Sequence, residues 1–333
     1  MVQQGSTDRR TPPVEGVAWP GATVTAPRRQ TLRALGTRIA LTVFGEQDDA
    51  ALDAAAALIQ REEDRLTVNR PDSEVMAVNR AAGQAGVAVS SATYALIQTA
   101  VAASRANYGF NALIGPLVKL WKIGFAGAAV PSNGEIAARL ALSDPTAVQL
   151  DDVTHTVALA HPGMELDLGG IAKGFIADQI RTLWGAYGVA AGIIDLGGNL
   201  LFVGASPRRA DGRWVIGVQD PGRARHEDLG TTVLPACSAV TSGIYERYLV
   251  QDGKKYHHLM DPRTGAPLQT ALAGVTVFTR DSIQGELEAK RLFFAGAPLP
   301  GWLDDSTHLG AVFAFEDGHT EVIGAPLQAV ARG

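Results

Sequence analysis

The sequence predicts an α+β fold, in which helices flank mixed β-sheets. Ala- and Leu-rich segments with charged faces predict helices at residues 48–66, 90–109, 132–143, 171–187 and 284–297. Runs in which apolar and polar residues alternate predict strands, and most of these runs lie between residues 191 and 280. Strands and helices do not alternate strictly along the chain, which argues against a doubly wound fold.

The first third of the chain predicts one strand followed by helices. Residues 31–45 alternate in polarity and predict a single strand. The helix at 48–66 begins at an Asp pair, and the polar stretch 67–83 predicts turns and a short helical segment. Gly109 is expected to end the helix at 90–109, because glycine readily adopts the left-handed conformation that closes helices.

Turn signals divide the rest of the chain. Residues 110–124 predict a loop that leads into a short buried helix, and 147–170 predict two strands joined at Asp151-Asp152. The Asp-Gly pairs at 252–253 and 317–318 predict hairpins. No interior linker interrupts this pattern, so we predict a loose N-terminal arm over residues 1–30 and one domain over 31–330.

Composition excludes several classes of protein. The 333 residues carry a net charge of −5 and no basic tract, which argues against nucleic acid as the main partner. No run approaches the roughly 20 apolar residues of a membrane-spanning helix, and the first 30 residues lack the apolar core of a secretory signal. We therefore expect a cytoplasmic protein without membrane insertion. The one cysteine, Cys237, is expected to be a buried thiol, with a catalytic role as the weaker alternative.

The segment ELDLGGIAKGF, residues 165–175, has the composition of an anion-binding turn. Gly169 and Gly170 permit positive φ or close backbone approach, and a helix predicted directly after them leaves backbone N–H groups free for an anion. Lys173 in the first turn adds positive charge, and Asp167 can bind a metal, a ribose hydroxyl or a backbone amide. The residues alone predict a tight strand–helix turn as readily as a ligand site.

The segment IIDLGGNLLFVG, residues 193–204, repeats the DLGG letters in a different setting. Gly197, Gly198 and Asn199 are followed by apolar residues, which predicts a strand–turn–strand element. The structural interpretation is favoured here. The functional alternative makes Gly197–Asn199 a backbone wall against a ligand.

Residues 238–268 are rich in polar side chains that can carry chemistry. Thr241, Ser242 and Gly243 predict a small polar turn between apolar runs. His257 and His258 are adjacent, so on a strand they point to opposite faces, and one of them is expected to face a pocket. Adjacent histidines cannot share a zinc ion as i, i+4 histidines do. The D-P-R-T-G sequence at 261–265 predicts a turn capped by its aspartate.

Taken together, these segments resemble the ApbE family of FAD:protein FMN transferases. The resemblance covers residues 31–297 and is carried by motifs in the family's order: ALGTR (34–38), RPDSEVMAVN (70–79), FNALIGPLVKLW (110–121), LDLGGIAKGFIAD (166–178), DLGGN (195–199), TSGIYERY (241–248) and YHHLMDPRTG (256–265). It implies ApbE-like mixed sheets with an FAD cleft between two interlocked subdomains. It also implies transfer of the FMN moiety of FAD to a Thr or Ser hydroxyl of a target flavoprotein, with release of AMP.

The resemblance assigns roles to particular residues. His258 would act as the base on the acceptor hydroxyl. Lys290 is a second catalytic candidate on a separate hypothesis, because the family has a different residue at its position. The remaining positions would bind FAD around the diphosphate, flavin and adenine: Asn111, Gly115, Asp167, Gly169, Gly170, Ala172, Lys173, Asp178, Asn199, Thr241, Ser242, Gly243, His257, Asp261 and Thr264.

The chain departs from the family pattern at two places. Asn111 follows Phe110 where the family usually has aspartate, so one carboxylate is missing near the expected ligand. The family also holds Mg²⁺ with an Asp, a Thr four residues later and a backbone carbonyl of the glycine-loop region. Here Glu286 and Lys290 occupy the two side-chain positions, and the carbonyl would be that of Ala172.

This second departure leaves the metal question open. Glu286 can still bind Mg²⁺ through oxygen, but an ammonium has no lone pair to offer. On helical spacing Glu286 and Lys290 lie on one face and can pair as a surface salt bridge. The functional hypothesis is that Lys290 takes the place of the divalent ion. Two other functions stay as alternatives: an FAD-binding protein that has lost transfer, and a pyrophosphatase that gives FMN and AMP.

Overall fold

The computed structural model describes residues 26–45, 49–224 and 227–329. Within these ranges the α-helices are α1 (Ala50–Leu66), α2 (Glu74–Arg80), α3 (Ser91–Ala106), α4 (Gly115–Trp121), α5 (Asn133–Leu140), α6 (Ala172–Ala186) and α7 (Ser282–Ala295). The strands of the first half are β1 (Arg28–Ala34), β2 (Thr37–Phe44), β3 (Val87–Ala88), β4 (Val148–Asp151), β5 (Thr156–Leu159), β6 (Ala191–Asp195) and β7 (Asn199–Gly204). Those of the second half are β8 (Trp214–Gln219), β9 (Asp228–Leu234), β10 (Ser238–Gly243), β11 (Tyr248–Gln251), β12 (Lys254–His257), β13 (Met260–Asp261), β14 (Ala266–Pro267), β15 (Leu272–Thr279), β16 (His308–Phe315), β17 (Thr320–Ile323) and β18 (Gln328–Ala329).

An eight-stranded sheet forms the centre of the fold, in the order β1-β2-β6-β7-β10-β15-β16-β17. Each neighbouring pair in it is antiparallel. All eight residues of the central strand β15 are buried, which indicates that the sheet is covered on both faces.

Different layers cover the two faces. On one face Ile39 and Leu41 of β2 join a core cluster with Ile59 of α1 and Ile176 of α6. On the other face Phe44 and other sheet residues cluster with side chains of β8 and β9, which form a three-stranded sheet with β18. Burial of apolar side chains on both faces therefore fixes the helices and the small sheet around the central one.

The start of α7 is joined to the side of α6, the helix that follows the glycine turn at residues 167–170. The Asp178 carboxylate accepts hydrogen bonds from the backbone N–H groups of Ser282, at 3.0 Å, and Ile283, at 2.9 Å. The Arg181 guanidinium binds the Asp281 carboxylate at 2.7 Å. A Cβ at Gly174 would lie 2.5 Å from the Ser282 carbonyl oxygen, so only glycine allows the helices to approach so closely.

A smaller hydrophobic cluster packs α4 against the turn at 261–265. Leu117, Trp121 and Met260 are buried together there, and the Trp121 indole N–H donates to the Gly265 carbonyl at 2.9 Å. This bond holds α4 against the turn at 261–265, which directly follows the two histidines.

Several local predictions are confirmed. The fold is α+β, and each of the five predicted helical segments contains a helix. Hairpins form at 252–253 and 317–318 and on either side of residues 152–155. Cys237 is buried, and burial raises the pKa of its thiol to about 12, so it is an unreactive core residue. Within the described residues, none of the helices has the length and apolarity needed to cross a membrane.

Other local predictions are wrong. Residues 31–45 form a hairpin, because Leu35 and Gly36 both adopt positive φ and turn the chain between β1 and β2. Asn107, with φ of 57°, caps α3, so Gly109 does not end that helix. Residues 241–243 are not a turn but the end of strand β10, paired with β15.

Two predicted boundaries also differ. Strand pairing after the 152–155 turn stops at Leu159, so the approach to the glycine turn is not a strand. Residues 1–25 of the predicted arm lie outside the described residues, and β1 already begins at Arg28.

Candidate active site

The first glycine turn is organised by Asp167. Its carboxylate accepts the Gly169 N–H at 2.9 Å, and α6 begins at Ala172 without a side-chain cap. Gly169 and Gly170 are not needed for positive φ. Instead, a Cβ at Gly170 would lie 3.1 Å from the Phe110 ring and 3.2 Å from Cε of Lys290. Close approach therefore explains Gly170, and the uncapped helix start is suited to a negatively charged group.

In the second DLGG copy the aspartate also accepts backbone N–H groups, but the two glycines have a different backbone conformation. The Asp195 carboxylate accepts the N–H groups of Gly197 and Gly198 at 2.9 and 3.1 Å. Both glycines have positive φ, 76° and 96°, and connect β6 to β7. A Cβ at Gly197 would collide with the Thr37 side chain, which brings the ALGTR motif against this turn. The predicted strand–turn–strand element is confirmed.

Asn199 leads from the second glycine turn into a buried polar chain. Its amide donates to Glu286 Oε1 at 2.9 Å and accepts from the Ser282 hydroxyl at 2.9 Å. The hydroxyls of Ser282 and Ser238 are 3.0 Å apart. Both polar ends of the Asn199 side chain are thus used to hold helix α7 against the sheet, and its predicted contact with FAD stays a prediction.

Glu286 and Lys290 form a buried ion pair. The Lys290 ammonium donates to Glu286 Oε2 at 3.0 Å and to the Glu286 carbonyl at 3.1 Å. The side chains are only 6 % (Glu286) and 13 % (Lys290) exposed, so the pair is not a surface salt bridge. Burial alone would raise the pKa of Glu286, but Lys290, Lys173 and the bond from Asn199 outweigh it and lower that pKa.

The two adjacent histidines have different surroundings, and the expectation that one of them faces a pocket stays a prediction. His257 is buried, with its ring edge-to-face against Phe293 of α7 at 6.0 Å. His258 lies just beyond β12, with Nδ1 3.2 Å from the Arg247 carbonyl oxygen. Burial lowers the pKa of His258 to about 4, and the positive charges of Arg247 and Lys290 add to the effect. A neutral imidazole near Lys290 is able to accept a proton.

Arg247 and Lys119 are charged neighbours that sequence reasoning assigned no role. The Arg247 guanidinium is close enough to His258 and Asp167 to influence the pKa of both. Lys119 pairs with Glu165 at 2.7 Å and also acts on Asp167. Burial nevertheless raises the pKa of Asp167. Arg247 stands within the quoted TSGIYERY segment, but no spacing rule links it to residues 80 positions earlier.

The other predicted site residues contact neighbouring strands and loops of the protein. Thr241, Ser242 and Gly243 lie at the end of β10, where the Thr241 hydroxyl is 2.8 Å from that of Thr276. Asn111 braces its own loop, accepting the Leu113 N–H and donating to the Ser143 carbonyl, both at 2.8 Å. Gly115 begins α4 with Glu165 close behind it.

The other predicted positions are engaged with the scaffold. Asp261 caps its own turn by accepting the Arg263 N–H at 2.9 Å, as predicted, and also pairs with the Arg263 guanidinium. The Thr264 hydroxyl accepts the Ala266 N–H at 3.4 Å. Asp178, as described above, is the anchor of α7. The contacts of these three residues in the structure are with the scaffold, and their predicted contacts with FAD stay predictions.

Comparison with known proteins assigns the chain to a family. A profile of the ApbE family matches residues 35–313. An FAD:protein FMN transferase of Klebsiella pneumoniae (strain 342) is 46% identical over 263 residues, which is 79% of this chain and 80% of that protein. The chain belongs to the ApbE family.

Further ApbE relatives agree with this assignment. An FAD:protein FMN transferase of Treponema pallidum (strain Nichols) is 37% identical, covering 85% of this chain and 83% of that protein. The crystal structure of the ApbE protein of Thermotoga maritima superposes with a TM-score of 0.78 at 28% identity, over 89% of this chain and 96% of that one. The apo flavinyl transferase ApbE of Pseudomonas stutzeri shares the fold, with a TM-score of 0.74 at 23% identity.

Proposed function

We propose that this ApbE chain transfers the FMN moiety of FAD to a Thr or Ser hydroxyl of a target flavoprotein. The observation that carries the proposal is that the His258 imidazole lies close to Lys290, whose Cε would be 3.2 Å from a Cβ at Gly170, just before the uncapped start of α6. A proton acceptor and an anion-binding turn in one site are what transfer of a phosphoryl group from a diphosphate to a hydroxyl requires. The names of the relatives support the same activity.

The transfer step assigns each group a task. The acceptor oxygen forms a bond to the FMN phosphorus, while the bond from that phosphorus to the bridging oxygen breaks and AMP leaves with it. His258 takes the hydroxyl proton. The N–H groups of Gly169, Ile171 and Ala172 are already bonded within the chain. The Gly170 and Lys173 N–H groups and the Lys173 ammonium therefore bind the diphosphate oxygens, whose charge moves onto AMP during the step.

Three outcomes of one assay separate this proposal from its alternatives. The protein is mixed with FAD and an acceptor flavoprotein domain prepared without covalent flavin. In-gel flavin fluorescence, a mass increase on the acceptor and AMP in the supernatant support transfer. FMN and AMP without labelled acceptor indicate a pyrophosphatase, and unchanged bound FAD indicates a binding protein. The cytoplasmic location stays a prediction, which fractionation of cells tests.

A further inference from the structure

The donor groups at the family's metal position do not suit a divalent cation. Mg²⁺ takes oxygen ligands in octahedral geometry. Here Glu286 Oε1 already accepts from Asn199 and Oε2 from Lys290, and the ammonium of Lys290 has no lone pair. Among the described residues no three His, Cys, Asp or Glu side chains come together as a metal site. The ligands left for a metal ion would be the Ala172 carbonyl and the Glu286 carboxylate, both oxygens of which already accept hydrogen bonds.

The pair is held rigidly rather than formed by chance at the surface. Both side chains are almost fully buried, and Glu286 is fixed from its other oxygen through the chain Asn199, Ser282 and Ser238. Because Asn199 already fixes the Glu286 carboxylate, pairing with Lys290 costs the Glu286 side chain little further conformational entropy. A buried pair of this kind is costly to desolvate, so its presence calls for a compensating role.

The local charge has the sign that a diphosphate needs. Lys290 and Lys173 both lie close enough to Glu286 to lower its pKa, so two cations are near this one carboxylate. The Lys290 stem lies against Gly170, which places its ammonium close to the glycine turn. An ammonium has three N–H donors, and within the described chain the hydrogen bonds to Glu286 use two of them.

We propose that the Lys290 ammonium, held by Glu286, neutralises the FAD diphosphate in place of a divalent cation. The inference rests on the proposed function and adds that catalysis is independent of Mg²⁺. One fixed positive charge replaces two, so the site stabilises the departing AMP phosphate less strongly than a metal would.

The first test needs no variant. Wild-type protein with FAD is titrated with Mn²⁺ as a spectroscopic substitute for Mg²⁺, using FAD alone as the blank. We expect Mn²⁺ to bind the mixture of protein and FAD no more tightly than it binds FAD alone. The rate of FAD conversion in EDTA should stay within about 2-fold of the rate in Mg²⁺. A stoichiometric protein-bound Mn²⁺, or activity lost in EDTA, overturns the inference.

The second test exchanges the pair. Lys290→Met is expected to reduce conversion about 100-fold without rescue by Mg²⁺, while Lys290→Arg retains the charge and part of the activity. The double variant Glu286→Asp/Lys290→Thr restores the family's side chains and should become Mg²⁺-dependent by about 10-fold or more. Arg291→Met is the matched control, because it removes a cation from another ion pair of α7, that with Glu288.

Failure of the inference and failure of the proposed function give different results. If wild-type protein converts no FAD under any condition, the proposed function fails, and the Mn²⁺ titration still decides the metal question. If conversion occurs and Lys290→Met, folded by circular dichroism, retains full activity, only the inference fails.

Discussion

The ammonium of Lys290 lies 3.0 Å from the carboxylate of Glu286, four residues earlier on the same buried helix face. Removing one partner of a buried ion pair leaves an uncompensated charge, which costs about 3–5 kcal/mol. Lys290→Met should therefore lower the free energy of unfolding by about that amount, whereas Glu286→Gln/Lys290→Met should cost clearly less. Urea unfolding of the wild type, the two single variants Glu286→Gln and Lys290→Met, and the double variant measures the difference. Equal and additive losses would mean that the two groups do not interact.

His258 is expected to be required for transfer but not for binding FAD. His258→Asn should slow flavinylation by about 100-fold or more, the usual contribution of a general base. The dissociation constant of FAD should change little, as measured by flavin fluorescence. His319→Asn serves as the control, because His319 is exposed on the β16–β17 hairpin. Equal rates for the two variants would remove His258 from the mechanism.

The pH dependence of activity follows from the depressed pKa of His258. Burial and nearby Arg247 and Lys290 lower it to about 4, so the imidazole stays a neutral base until the pH falls near that value. We expect no acidic limb in kcat/KM between about pH 8 and pH 5, where an unperturbed histidine would already lose activity. Lys290→Arg should keep this profile, whereas Lys290→Met should move the limb to higher pH. A wild-type limb near neutrality would contradict the assignment.

Gly170 is expected to tolerate no side chain without loss of FAD binding. A Cβ there presses on the Phe110 ring and on Cε of Lys290, so Gly170→Ala should displace the lysine stem and narrow the turn. We expect FAD affinity to fall about 10-fold, corresponding to about 1.4 kcal/mol. Gly134→Ala in α5 is the control, since a Cβ there has nothing within 4 Å. Isothermal titration with FAD compares the two, and unchanged affinity of Gly170→Ala would refute the close-approach explanation.

Asp178 is expected to matter for stability. Its carboxylate accepts two backbone N–H groups at the start of α7, so Asp178→Ala should lower the free energy of unfolding by about 1–2 kcal/mol, as for other helix caps. Thermal unfolding and FAD titration are measured together. Weaker FAD binding at unchanged stability would instead support the cofactor contact that the family resemblance implies.

Local patterning predicts much of this fold, and the failures have physical causes. Alternation within residues 31–45 identifies β structure, but nothing in it signals that Leu35 adopts positive φ, which is rare for a branched apolar residue. The helix ends likewise depend on single dihedral angles: Asn107 turns the chain before Gly109 can. Such choices are decided by tertiary packing.

The sequence predicts the contacts of the candidate site only where the interacting residues are close together along the chain. Asp167 and Gly169 hydrogen-bond two residues apart, and Glu286 and Lys290 pair one helical turn apart, so spacing rules find both. The bond from Asn199 to Glu286 spans 87 residues and the influence of Arg247 on Asp167 spans 80, beyond any periodicity. The burial that turns a helical i, i+4 pair into an interior one is equally a property of the assembled sheet.

The attachment of α7 to α6 through Asp178 has a consequence for how the enzyme meets its donor. The helix that opens at the glycine turn and the helix that carries Lys290 are parts of one body, clamped at Gly174 and Asp178. On the proposed function, FAD would therefore meet an electric field whose sources are already in place. Little reorganisation energy has to be spent on arrival, and a mutation that loosens the clamp would disturb affinity and turnover together, at a distance from every reacting atom.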